Sequence, residues 1–223
     1  MKAVLTADVV KSSDLGGQAR LIRSLKYVLS ELEDHGLIDQ GLWQVFRGDS
    51  FQFVTSAKNA MLSALAIRTG LKGAMYRFAS PLIREDMLDV SMDARIGIGI
   101  GDVEEIPPML SESYGEAFTL SGILLDRIEL EERRICMTTA DDELNSHLDI
   151  VCRLAGVLIN EWSENSSQAL YRHFLKNETQ LETARFLGIT QSSVHHRLRI
   201  AHLDEIHYLL SYFKEQIYKK LKD

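Results

Sequence analysis

Residues 179–202 read TQLETARFLGITQSSVHHRLRIAH, and this stretch predicts two helices joined by a tight turn. Thr179 and Glu182 have the spacing of a capping box, which pairs the first free amides of a helix. Gly188 supplies the positive φ that the turn requires. The inward contacts of the pair are expected from Ala184, Ile189, Val194 and Leu198. This is the spacing of a helix-turn-helix.

The second helix of such a unit enters the major groove with its N-terminal residues. Gln and Ser side chains hydrogen-bond to base edges, and Arg pairs with guanine or phosphate. The residues expected to contact DNA are Gln191, Ser192, Ser193, His195 and His196, with Arg197 and Arg199 nearer the phosphates. The alternative is a unit that packs only against a partner protein, which its weak net charge favours.

Helices are also predicted on both sides of this pair. Residues 166–176 form the helix before it, with Asn165, Ser166 and Ser167 as the cap. Leu203–Leu221 has apolar residues at helical spacing, and it either packs on the unit or dimerises it. The whole segment, residues 164–223, is predicted as an all-α domain that resembles region four of bacterial sigma factors.

The first part of the chain alternates between strand and helix patterns. The order is β-α-β-β-α-β, which predicts an α/β (α+β) fold with a ferredoxin-like sheet. The first and third strands are then antiparallel neighbours. The predicted elements are a strand at Lys2–Val10, a helix through Leu21–Leu32, strands at Leu42–Phe46 and Phe51–Val54, a helix at Ala57–Arg77 and a strand at Ala94–Gly101.

Further elements follow this sheet. Ser111–Asp126 predicts a loop that leads into a short helix, Arg134–Thr138 a fifth strand, and Ala140–Trp162 a long helix. We therefore expect a sheet domain over residues 1–140, a connecting helix over 141–163 and the helical domain over 164–223. The glycines on one face of Ala94–Gly101 let a backbone or a ligand approach closely.

Two aspartates are predicted to meet at one edge of the sheet. Asp8 ends the first strand, and Asp49 lies in the hairpin Arg47–Ser50. Two carboxylates side by side offer the hard oxygen ligands that Mg²⁺ prefers. Ser12 and Ser13 follow the first strand, where backbone amides can meet phosphates. The alternative is structural, since Asp8 can cap a helix and aspartate is common in tight turns.

Three blocks, residues 6–10, 47–51 and 95–99 with 114–118 after them, resemble the class III nucleotidyl cyclase fold. The resemblance implies that Asp8 and Asp49 bind the metal ions that hold a nucleoside triphosphate. It also makes Ser12, Ser13, Arg47 and Ser50 candidates for nucleotide or phosphate contacts. Glu116 and Ser121 either line the same pocket or cap a helix.

The chain departs from the cyclases at three positions. Cyclases carry an asparagine and an arginine on the helix after the glycine turn, and the aligned residues here are Thr119 and Ile123. Isoleucine cannot stabilise charge that develops on a phosphate. The base-reading lysine is also missing, since Val45 occupies its position. Cyclase turnover is therefore not expected.

Over its whole length the chain resembles the SatD family of bacterial proteins. The shared blocks lie at Asp8–Ser12, Arg47–Gln52, Asp93–Gly101 and Gly115–Gly122, followed by the helix-turn-helix. The resemblance names a family whose biochemical role it does not establish.

Charge and residue usage add further constraints. The net charge of −7 is divided between −8 in residues 1–160 and +1 in residues 161–223, so the acidic first part is a poor surface for DNA. Cys136 and Cys152 are expected as buried free thiols. His195, His196, His202 and His207 are interpreted as solvated helix residues rather than a metal site. A cytoplasmic protein without a membrane span is expected.

Three functions follow from these patterns. The first is a DNA-binding transcriptional regulator whose cyclase-like domain binds a ligand, with a nucleotide as the natural candidate, or mediates assembly as a homodimer. The second is a Mg²⁺-dependent nucleotidyl transferase or phosphohydrolase that uses Asp8 and Asp49. The third is an interaction scaffold without either activity.

Overall fold

The computed structural model describes residues 1–15, 17–46, 48–103, 110, 113–131 and 133–220. Arg47, a candidate phosphate contact, lies outside the described residues, as does Ser111, where a loop was predicted to begin. None of the described helices combines the length and apolar character that a membrane crossing needs.

The sheet has five described strands in the order β2-β3-β1-β4-β5. Strand β1 pairs antiparallel with both β3 and β4, and β5 joins the edge parallel to β4. The first four strands therefore have the predicted ferredoxin-like order, which confirms the α/β fold class. The strands are β1 (Lys2–Val9), β2 (Trp43–Phe46), β3 (Ser50–Ser56), β4 (Ala94–Gly101) and β5 (Ile135–Thr138).

The described helices are α1 (Gln18–Asp34), α2 (Ala60–Lys72), α3 (Pro81–Arg84), α4 (Glu116–Leu130), α5 (Asp142–Asn160), α6 (Glu164–Lys176), α7 (Gln180–Leu187), α8 (Gln191–Ile200) and α9 (Leu203–Lys220). Short 3-10 turns occupy Ser12–Asp14, Ala57–Asn59 and Met75–Phe78.

Helices cover both faces of the sheet. On one face, Ala3, Leu5 and Ala7 of β1 share an apolar cluster with α1 and α2. On the other face, Val4 clusters with Ala117 of α4. Because side chains alternate along a strand, β1 contributes to both layers with successive residues.

The glycine face of β4 receives the backbone of α4. A Cβ atom at Gly99 would lie 2.3 Å from the carbonyl oxygen of Ala117, and one at Gly97 would lie 2.6 Å from that of Ser121. The sequence left open whether a backbone or a ligand approaches these glycines, and here it is a helix backbone.

The last four helices pack onto the same core. Helix α6 lies between α2 and α8, and its Ala169 and Leu170 are fully buried in the apolar cluster that begins at the sheet. The indole Nε1 of Trp162 donates to the carbonyl of Ala201 at 3.0 Å, which ties the segment between α5 and α6 to the C-terminal end of α8. The predicted domain boundaries stay a prediction, but residues on both sides of them share one core.

Two predicted helix boundaries and one predicted helix length were wrong. The second helix ends at Lys72 rather than at residue 77, because Gly73 and Ala74 follow and Ala74 adopts a positive φ of 49°. Helix α6 is capped by Ser163, whose hydroxyl accepts the amide of Ser166, so the predicted cap residues lie within the helix. Helix α4 is not short but has 15 residues.

We expect Gly99→Ala to destabilise the protein by about 1–3 kcal/mol, because the added methyl group forces α4 away from β4. Gly122→Ala is the matched control in α4, since its Cβ would meet no atom within 4 Å. The control should gain about 0.5–1 kcal/mol as alanine replaces glycine in a helix. Urea unfolding of both variants tests this, and equal stability would contradict the close approach.

Candidate functional site

The two candidate metal-binding aspartates lie at the same end of the sheet. Asp8 is paired with Ser50 in the β1–β3 register, and the amide of Val9 donates to the carbonyl of Asp49 at 3.0 Å. The β2–β3 hairpin therefore brings the backbone of Asp49 directly beside the end of β1.

The side chain of Asp8 is held by Arg95 from the neighbouring strand. Arg95 donates through Nε to Oδ1 at 2.9 Å and through Nη2 to Oδ2 at 2.6 Å. Its Nη1 atom also lies 3.0 Å from Glu129 of α4. The hydrogen bond to Asp8 raises the pKa of Arg95, which keeps the guanidinium charged. Both oxygens of Asp8 are thus in a bidentate ion pair.

Sequence reasoning missed the role of Arg95. In the antiparallel β1–β4 register, Arg95 stands directly opposite Asp8. The signal was present, because Asp8 lies near the end of the first predicted strand and Arg95 near the start of the strand Ala94–Gly101. Antiparallel pairing of these strands brings both residues to the same end of the sheet. It would have required fixing the β1–β4 register, which strand patterns alone leave open.

Asp49 and the loop after β1 line a small pocket. Its Oδ2 atom accepts from the hydroxyl of Ser12 at 2.6 Å, and its Oδ1 accepts from Ser50 at 3.4 Å. Helix α1 begins here at Gln18 with Gly17 as its N-cap, and among the described residues no side chain caps its first amides. The pocket has a volume of about 240 Å³ and is lined by Ser12, Ser13, Gly17, Gln18, Leu21, Gly48 and Asp49.

This arrangement does not offer an open Mg²⁺ site. A divalent ion at Asp8 would compete with Arg95, which donates to both carboxylate oxygens, and the guanidinium adds a repulsive positive charge. Within the described residues, no three or more His, Cys, Asp or Glu side chains group in a way that could hold a metal. Binding of Mg²⁺ by Asp8 and Asp49 stays a prediction.

The other residues implied by the cyclase resemblance take structural positions. Ser121 is buried and its hydroxyl lies 2.8 Å from that of Thr6, which also accepts from Gln52. Glu116 opens α4 beside Gly101. Thr119 and Ile123 are exposed on the outer side of α4.

The helix-turn-helix segment has the local structure that its sequence predicts. Thr179 and Glu182 form the capping box of α7, and Gly188 ends that helix with a φ of 66°. Thr190 caps α8 by accepting the amide of Ser193. The predicted inward positions are buried at Ala184, Val194 and Leu198 and half-buried at Ile189.

Helix α8 presents its polar residues to solvent. The exposed ones are Gln191, Ser192, Ser193, His195, His196 and Arg199. The hydroxyls of Ser192 and Ser193 lie 3.0 and 2.8 Å from that of Thr190, so both also belong to the cap. The predicted DNA contacts are thus accessible to solvent, with one exception.

The exception is Arg197, which folds back onto α6. Its Nη1 atom donates to the carbonyl of Asn165 and to Oε1 of Gln168, each at 3.4 Å. Removal from water lowers the pKa of Arg197, and the side chain is half-buried. Its guanidinium therefore links α8 to α6, whereas the side chain of Arg199 is exposed to solvent.

The histidines differ in their surroundings, and the cysteines are buried. His207 is not simply solvated, because its Nε2 lies 2.9 Å from that of His173 on α6. The Nδ1 atom of His202 lies 3.9 Å from Oε2 of Glu205. Cys136 and Cys152 are buried free thiols, as predicted, and burial raises the pKa of each to about 12.

No protein-family model matches the chain, and no curated protein matches it. Among solved structures, the chain is similar to one described as "Structure of a bacterial light-regulated adenylyl cyclase", with 13% sequence identity and a TM-score of 0.38. The match covers 61% of this chain and 42% of that one. The chain therefore matches less than half the length of that structure, and a likeness this distant carries no argument about activity.

We expect the Asp8–Arg95 pair to be energetically coupled by about 2 kcal/mol, because both partners are largely removed from water and hydrogen-bonded. The single variants Asp8→Ala and Arg95→Ala and the double variant form a double-mutant cycle, measured by urea unfolding. Purely additive effects would show that the ion pair contributes nothing to stability.

Proposed function

We propose that this chain is a DNA-binding regulator of transcription that reads DNA with α8. The observation that carries the proposal is the division of α8 into two sides. Val194 and Leu198 are buried in the helical unit, while the first turns present only polar side chains to solvent. This is the arrangement in which a recognition helix enters the major groove.

The local charge supports the same surface. Residues 179–202 contain three arginines and one glutamate, which gives +2 before any histidine is protonated, in a chain whose first 160 residues carry −8. Phosphate contacts supply most of the sequence-independent affinity for DNA, so a basic segment in an acidic protein is the part that a duplex approaches. Arg199, exposed on α8, is the candidate phosphate contact.

We expect Arg199→Ala to weaken binding to duplex DNA across all sequences and to reduce the slope of log K against log salt by about 1, the value for one lost phosphate contact. Fluorescence anisotropy with genomic duplex fragments at several salt concentrations measures this. Arg84→Ala, which removes an exposed arginine from α3, is the matched control and should bind as the wild type does. Equal binding by both variants would remove α8 from the interface.

A variant at Gln191 separates base reading from phosphate contact. Gln191→Ala should leave nonspecific binding unchanged and relax selectivity among sites enriched from random duplexes, by about 1–3 kcal/mol for one lost bidentate contact. Selectivity that survives the substitution would place base readout elsewhere on the unit.

We further propose that the sheet domain senses a small ligand or assembles the protein as a homodimer. The resemblances to the cyclase fold and to the SatD family support this, together with the pocket between Ser12 and Asp49. A pocket of about 240 Å³ is smaller than drug-sized sites of about 300–1,000 Å³, so it has room for only part of a nucleotide. The enzyme alternative is less favoured, because Arg95 occupies both oxygens of Asp8.

A nucleotide that binds this pocket should raise the melting temperature. At 100 times its Kd, a ligand adds about 2.7 kcal/mol, which corresponds to several degrees for a chain of this size. We expect a shift for the wild type and none for Ser12→Ala combined with Asp49→Ala, with Ser146→Ala on α5 as control. The panel is run with and without Mg²⁺, and a shift that requires Mg²⁺ would return attention to the enzyme alternative. No shift with any nucleotide would leave the sheet domain as a scaffold.

A further inference from the structure

Two histidines join α9 to α6. The Nε2 atom of His173 on α6 lies 2.9 Å from the Nε2 atom of His207 on α9. The ring centroids are 5.1 Å apart, so the two nitrogens face each other along the line between the rings. A separation of 2.9 Å is hydrogen-bond distance. It leaves no room for a metal ion on that line, because each metal–nitrogen bond needs about 2.0–2.1 Å.

This hydrogen bond limits the number of protons that the pair can hold. A neutral imidazole has one nitrogen that donates and one that accepts, whereas an imidazolium donates from both. One Nε2 atom must therefore carry a proton while the other is bare. The contact tolerates one positive charge, on the donating ring. A second charge places two N–H groups against each other across 2.9 Å, and the two rings then repel.

Little in the surroundings stabilises a second positive charge on the pair. Removal from water lowers the pKa of the half-buried His173, and the charge of His207 lowers it further. On the same sides of the two helices lie Lys176, which pairs with Glu31, and the exposed Asp204 and Lys214. The segments packed on α6 and α9 contribute Arg68 and Lys72, which face Asp93, the acidic Glu178 and Glu182, which Arg172 and Thr179 hold, Arg197, which donates to α6, and the exposed Lys58. Of these groups, Asp204 is the one carboxylate without a partner in the described part of the chain, and an ion pair in water contributes little.

We propose that His173 and His207 form a pH-sensitive latch between α6 and α9. The latch is closed while one Nε2 atom is bare, and it opens when both rings are protonated. Only two residues separate the end of α8 at Ile200 from the start of α9 at Leu203, so the latch holds the helix that directly follows α8. Phe213 and Ile217 are buried further along α9 and keep that part of the helix in the core. Opening is therefore confined to the first turns of α9.

The latch opens when the solution is acidified. Because the fold favours the neutral form of His173, the folded state binds fewer protons than the unfolded state just below the ordinary histidine pKa of about 6.5. The contact is complete above that pH. It is lost as the pH falls from there through the lowered pKa of His173. This device does not depend on DNA binding.

Hydrogen exchange of the full chain at about pH 7.5 and about pH 5.5 tests the latch, because histidine changes its charge between these values. After correction for the intrinsic effect of pH on exchange, the amides of residues 203–211 should exchange about two- to tenfold faster at the lower pH, the change expected for one lost hydrogen bond. His207→Gln should remove this difference, because glutamine stays neutral at both pH values. His147→Gln is the matched control, since it removes an exposed histidine of α5 and should behave as the wild type does.

Nitrogen-15 spectra of the histidine rings test the contact in the unmodified chain, which covers the case in which His207→Gln does not fold. At about pH 7.5 one ring of the pair should carry its proton on Nδ1, because its Nε2 atom accepts. The exposed His147 should carry its proton mainly on Nε2. Both experiments contain EDTA, so that no metal ion bridges the rings.

Three results would overturn the latch. The first is a pair in which both rings carry the proton on Nε2 at the higher pH. The second is corrected exchange in residues 203–211 that is equal at the two pH values. The third is a pH difference that His207→Gln leaves intact, since the titration would then belong to another group.

Discussion

Helix α2 is buried along nearly its whole length, because one side packs on the sheet and the other on α6. The packing of α6 on α2 requires glycine at two positions of or beside α2. A Cβ atom at Gly70 would lie 2.7 Å from the ring of Tyr171, and one at Gly73 would lie 3.0 Å from the amide of Gln168. The missing side chains let the aromatic ring and the backbone of α6 reach the α2 surface. The sheet and the helix-turn-helix unit therefore share one core and are not joined by a flexible tether.

The same helix carries a buried charge that organises the end of the sheet where Asp8 lies. Arg68 is 1% exposed and donates to both oxygens of Asp93, at 2.7 and 2.9 Å. Burial raises the pKa of Asp93, but the hydrogen bond and the charge of Arg68 outweigh it, so the carboxyl stays ionised. The carbonyl of Asp93 accepts the amide of Val10, which fixes the end of β1 against the start of β4. Asp8 and Arg95 are paired in the register two positions further into the sheet.

Local spacing made part of this structure predictable. The capping box of Thr179 and Glu182 and the left-handed Gly188 act within a few residues, so the chain order alone specifies them. The β-α-β-β-α-β order likewise leaves few possible sheets. The orientation of Arg197 toward α6 and the pairing of Arg95 with Asp8 were not predictable in this way. Both depend on which distant backbone lies nearby, and a long charged side chain follows its partner rather than its position in the helix or strand.

The packing also limits how the sheet can influence α8. Helix α6 contacts α2 on one side and α8 on the other. The ring centroid of Phe186 on α7 also lies 5.1 Å from that of Phe78, which ends the 3-10 turn after α2. A core this dense transmits displacement and does not absorb it locally. Allosteric control requires an element with two arrangements that both sites favour differently. Because α6 contacts both α2 and α8, and Arg197 of α8 donates to Asn165 and Gln168 of α6, a displacement of α6 relative to α2 would also displace α8.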